Sequence, residues 1–97
     1  MRVKNINGTS QRTCKCGSWL EHWRNYSGQS IPTYCPEKAC INKPEVGAHV
    51  QKDSSTDRSW YIVPLCKTHN SKTGQSLELV DSIRLASANV ASTCGRG

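Results

Sequence analysis

Two pairs of residues constrain this chain more than any apolar pattern in it. Cys35 and Cys40 are separated by four residues, Cys66 and His69 by two, and twenty-five residues lie between the pairs. A tetrahedral zinc ion takes four nitrogen or sulfur ligands, and two close pairs from separate segments are the usual way for a chain to supply them. The spacing predicts one zinc ion held by Cys35, Cys40, Cys66 and His69, the first pair on a turn containing Pro36 and the second at a helix start. The competing reading makes Cys66 a buried apolar thiol and His69 a surface residue.

A staple of this kind is needed. The chain has 97 residues, 35% hydrophobic content and no phenylalanine, so apolar burial alone barely offsets the entropy of ordering it. The same length predicts a single domain over residues 1–97. Metal and disulfides compete for the six cysteines, and the redox compartment separates them. The opening stretch MRVKNINGTS lacks the apolar segment of a secretory signal, and no run approaches the roughly 18 apolar residues of a membrane span. The expectation is a reducing, cytoplasmic location without membrane contact, in which cysteines act as metal ligands.

The rest of the sequence reads as a small α+β protein. Residues 1–13 are polar and suggest a loose arm or an irregular edge strand. Ser18 followed by Glu21 has the form of a capping box, and with Gly28 as a stop it predicts a helix from Trp19 to Ser27. Val46 to Val50 and Trp60 to Leu65 read as two strands around the polar loop QKDSSTDRS, followed by a short helix from about Cys66 to Thr73 that Gly74 ends. Beyond it, SLELVDSIRLASANVAS fits either one helix or two short strands. Trp19 and Trp23, at helical spacing, are core residues or platforms on which bases of a single-stranded partner stack.

In this order, a cysteine pair, AHV opening a hairpin, WYIVPLC closing it and CKTHN opening a helix resemble the ββα-metal core of HNH endonucleases, a treble-clef zinc fold, over approximately residues 34–73. The resemblance implies a β-hairpin followed by a short helix, here with an added N-terminal helix. It implies that His49 is the general base that activates water, a task suited to imidazole near neutral pH. It also implies that Asn70 helps hold a catalytic divalent ion such as magnesium. The pattern departs from the family at Ala48, where an acidic residue or histidine often helps bind that ion. It departs again near Trp60 and Tyr61, where the middle asparagine would fall. The alternative for His49 is a framework role, with its ring packed on Trp60 or Tyr61.

Cys14, Cys16 and Cys94 remain, and with His22 they suggest a second zinc site clamping the two ends of the chain together. A disulfide from Cys94 to Cys14 or Cys16, free thiols, and a His22 on the exposed helix face are the alternatives. Thirteen basic against seven acidic residues give a formal net charge of +6, which favours a polyanionic partner. Lys52, Arg58, Lys67 and Lys72 are the candidate phosphate contacts. The sequence thus leads to a zinc-stabilised, nucleic-acid-binding protein with weak or no nuclease activity. The rivals are a metal-dependent HNH nuclease working through His49, and a protein-interaction or inhibitor module on a zinc scaffold.

Overall fold

The computed structural model describes residues 1–6, 18–53 and 56–89. Its elements run β1 (Arg2–Asn5), α1 (Trp19–Ser27), β2 (Val46–Lys52), β3 (Tyr61–Leu65), α2 (Lys67–Asn70), β4 (Ser76–Glu78) and β5 (Ala86–Ser87). The strands form one antiparallel sheet in the order β4-β1-β2-β3-β5. The described residues therefore form a small α+β fold built on one sheet and two helices.

The start of the chain corrects the expectation of a loose arm or edge strand. β1 lies inside the sheet between β4 and β2, with Val3 opposite both Leu77 and Lys52 and Asn5 opposite Val50. Alternation sends Val3 and Asn5 inward and leaves Arg2 and Lys4 exposed, as period-two geometry requires. The ambiguous C-terminal stretch resolves into the two short strands β4 and β5, one at each edge of the sheet.

Helix α1 has the predicted bounds for the predicted reasons. The Ser18 hydroxyl accepts the Glu21 N–H at 3.1 Å, which satisfies one of the free donors of the first turn. Gly28 ends the helix at φ 75°, in the left-handed region that costs glycine nothing. The Glu21 carboxylate pairs with Arg24 three residues on.

The hairpin register decides which side chain faces which way. His49 pairs with Ile62, whereas its neighbours Ala48 and Val50 pair with Val63 and Tyr61, so Gly47 and His49 share one face and Ala48 and Val50 the other. Helix α1 covers the His49 face, lying so close that any side chain at Gly47 would run into the backbone of Trp19 and Leu20. On the opposite face Asn5, fully buried beside Val50, donates its amide to the carbonyls of His69 and Asn70 at 3.0 and 2.8 Å. Helix α2 is thus fixed to that second face. Proline tolerates a sheet position only where no ladder donor is needed, and Pro64 lies beyond the pairing of β3 with β5 at Tyr61 and Ile62.

Both sides of the sheet contribute to a core that includes Val3, Val50, Ile62, Val63, Leu65 and Leu79. Trp23 is completely buried, and its indole N–H donates to the Arg84 carbonyl at 2.7 Å, so its polar atom is satisfied where its ring is hidden. Trp19 packs against the same core, which makes both tryptophans framework. His22 is also completely buried, which corrects its placement on an exposed helix face: its Nε2 lies 2.7 Å from the Ser87 carbonyl and joins α1 to β5.

Candidate metal centre

The first ligand pair sits on a loop pinned from both sides. Pro36 O accepts from Val80 N, Lys38 N donates to Glu78 O, and Cys35 N donates to Asn42 O, so this knuckle hangs on the chain that leaves β4. Its turn closes with Cys40 N donating to Glu37 O at 3.1 Å. The turn places Ala39 at φ 65°, a left-handed conformation that an alanine adopts at a cost. The second pair opens α2. Cys66 is its N-cap, the sulfur accepting the His69 N–H at 3.4 Å. The helix is a single turn, Lys67–Asn70, shorter than the span to Thr73 expected from the sequence. One turn still suffices to bring His69 back over Cys66.

The ligand atoms of Cys35, Cys40, Cys66 and His69 all lie within 4.8 Å of one another, making them the group among the described residues that can hold a metal ion. Zinc bonds of about 2.3 Å to sulfur and about 2.0 Å to nitrogen set tetrahedral edges of about 3.8 Å between sulfurs and about 3.5 Å between sulfur and nitrogen. The structure has Cys40 Sγ to Cys66 Sγ at 4.0 Å, Cys35 Sγ to His69 Nδ1 at 3.7 Å and Cys66 Sγ to His69 Nδ1 at 3.2 Å. These edges fit a tetrahedron of that size. The three thiols form no disulfide.

The surroundings are arranged for the same purpose. Nε2 of His69 lies 3.1 Å from the Glu37 carboxylate, which fixes the ring with Nδ1 toward the sulfurs. The Asn42 amide points at Cys66 Sγ from 3.8 Å. Without an ion the thiols titrate apart. Burial pushes Cys35 up to about 12. Burial also opposes ionisation of Cys66, but hydrogen bonds from the His69 N–H and ring, from Asn42 and from Cys35 outweigh it and hold that thiol down to about 7. Glu37 and Asn42 had no signature in the sequence, because neither lies at a ligand spacing.

The catalytic pair implied by the resemblance is not assembled. His49 is 6% exposed, with its ring edge-on to Trp19 at 4.6 Å and to Trp60 at 6.3 Å, beneath α1. Asn70 belongs to α2, on the other face of the sheet. The sheet thus lies between the His49 face, covered by α1, and the face to which α2 is fixed. Of the second proposed zinc site, Cys14, Cys16 and Cys94 lie outside the described residues, and His22 is placed as above.

The four candidate phosphate contacts do not form one patch. Lys52 ends β2 and Arg58 lies in the β2–β3 loop, while Lys67 and Lys72 belong to and follow α2 at the far end of the hairpin. Lys52 is engaged by Asp57 at 3.6 Å and by the Tyr61 ring at 5.2 Å, and Lys67 by Glu45 at 3.4 Å. Asp57 also accepts from the Tyr61 hydroxyl and the Ser59 N–H, which holds its carboxyl well below the usual range. Arg58 and Lys72 are exposed. No helix of the described residues is long and apolar enough to cross a membrane.

No protein-family model, curated protein or solved structure matches the chain.

Proposed function

We propose that this chain is a zinc-binding protein whose single ion is structural, and that the domain it stabilises is a nucleic-acid-binding module, not a nuclease. The observation that carries the first part is the convergence of three sulfurs and one imidazole nitrogen within 4.8 Å. Soft thiolate and imidazole donors select zinc over magnesium or calcium, which want oxygen. Four protein ligands fill a tetrahedron and leave no position for water, which is the mark of a structural site. Zinc bound there joins the knuckle to α2 and takes the place of the apolar mass this small core lacks.

The HNH resemblance supports the fold of this unit more than its chemistry. A base must reach the water it deprotonates, and His49 is closed in by Trp19 and Trp60. Nucleic acid is favoured as the partner by the net charge of +6 and by the exposed side chains of Arg58, Lys67 and Lys72.

The test measures zinc content of the purified protein, then its binding to labelled DNA and RNA across a salt series. The expected outcome is one zinc at this centre and an affinity that falls linearly on a log–log plot against salt. Absence of binding to either polymer at low salt overturns the nucleic-acid reading. Cleavage in magnesium that His49→Ala abolishes overturns the noncatalytic one.

A further inference from the structure

The four ligands are not equally protected, and the difference falls where chemistry can use it. Cys35 and Cys66 are each 3% exposed, whereas Cys40 is only partly buried. Cys66 Sγ accepts the His69 N–H and faces the Asn42 amide, contacts that draw charge from a thiolate and blunt it as a nucleophile. Among the described residues no N–H reaches Cys40 Sγ; its neighbour is Cys66 Sγ, 4.0 Å away. Cys35 and Cys40 both line an open groove of about 640 Å³ with Tyr34, Ala39, Val80 and Ile83, large enough to admit a small oxidant, and of the two sulfur ligands Cys40 is the more exposed to it.

Resting on the zinc reading above, we propose that Cys40 is the redox-sensitive ligand of the centre: a hydroperoxide entering this groove oxidises it, Cys66 resolves it to a Cys40–Cys66 disulfide, and the zinc leaves. The Cys40 thiolate attacks the peroxide; an S–O bond forms, the O–O bond breaks, and one solvent proton converts the departing oxygen to an alcohol or water. The Cys66 thiolate then attacks the Cys40 sulfenic acid; an S–S bond forms, the S–O bond breaks, and hydroxide takes a second proton to leave as water. Two thiolates, one hydroperoxide and two protons give one disulfide, one alcohol or water, and one water. The sulfurs supply both electrons and the peroxide accepts them. Cys35 and His69 alone are too few to hold the ion. The oxidised chain keeps its knuckle tied to α2 through the new covalent bond, so the change is reversible by a thiol reductant and zinc.

The experiment adds hydrogen peroxide to the zinc-loaded chain, reads released zinc with a chromogenic chelator, and maps the cross-link by mass spectrometry. Trypsin does not cut at Lys43 before Pro44, so Cys35, Cys40 and Cys66 fall on separate peptides ending at Lys38, Lys52 and Lys67. The expected result is loss of one zinc per chain, with the second and third of these peptides joined, and recovery of both on adding dithiothreitol and zinc. The peptide map assigns the release to this centre whatever the remaining thiols do. A chain that holds zinc through peroxide exposure, or that joins the peptide ending at Lys38 instead, overturns the redox inference alone. A chain that takes up no zinc overturns it together with the reading it rests on.

Discussion

The Glu37 carboxylate meets Nε2 of His69 at 3.1 Å, so the residue two places after one ligand orients another ligand thirty-odd positions away. The bond settles which ring nitrogen turns inward. Removing it with Glu37→Ala leaves all four ligands in place and lowers zinc affinity by about 10- to 100-fold, the usual effect of losing such a partner. Competition with a calibrated chelator measures it, and unchanged affinity would show that the ring is held by packing.

Removal of the ion itself should unfold the chain. Apparent binding energies of structural zinc run to about 10–16 kcal/mol, as large as the whole stability of a small domain. Chelation, or Cys66→Ala, is expected to abolish the near-ultraviolet circular dichroism of the buried Trp23 and the cooperative melting transition. A chain that melts cooperatively without metal contradicts this.

Zinc uptake should release protons, and more of them at lower pH. The ion-free chain is unfolded, so its thiols carry the ordinary cysteine value of about 8.5. At about pH 9.5 most of these thiols are already ionised and loading displaces few protons, whereas at about pH 6 it displaces roughly one from each of Cys35, Cys40 and Cys66. Affinity consequently falls as pH drops through the neutral range. Calorimetry in buffers of different ionisation enthalpy counts the protons; an equal count at the two pH values counts against the assignment.

Gly47→Ala should be costly out of proportion to its size. The added methyl overlaps the backbone of Trp19 and Leu20, which a rotamer change cannot relieve, so α1 must shift away from the sheet. Overpacking of this kind costs about 3 kcal/mol, and a denaturant midpoint close to wild type would mean that the helix has room to move.

Ala39→Gly should do the reverse. Alanine at φ 65° bears about 1 kcal/mol of steric cost that glycine escapes, partly offset by the freedom glycine has in the unfolded chain. Thermal melting of the zinc-loaded variant is expected at or slightly above wild type. A lower melting temperature would show that the methyl group has a packing role in the groove.

Local signals made part of this architecture legible in advance. Ser18 and Gly28 bound α1 because caps act on the backbone beside them, and the four ligands stood out because metal geometry demands close pairs. What the sequence hid was long-range. In β1 one apolar residue, Val3, lies between Arg2 and Lys4, too little to mark a strand whose partners are more than forty residues away. His22 stands among Glu21, Trp23 and Arg24, and its burial depends on Ser87 arriving from the far end of the chain. The HNH-like order of motifs gave no information on register, and register is what carries His49 away from α2.

The alternation along β2 leaves a distinct legacy. Because neighbouring residues look to opposite sides, displacing the strand by one position would exchange Ala48 with His49 and deliver an imidazole to the compartment of Asn70 and the metal ligands. A single deletion or insertion ahead of His49, with the ladder otherwise re-formed, is therefore the shortest mutational path between a scaffold of this shape and one with a titratable group beside its helix.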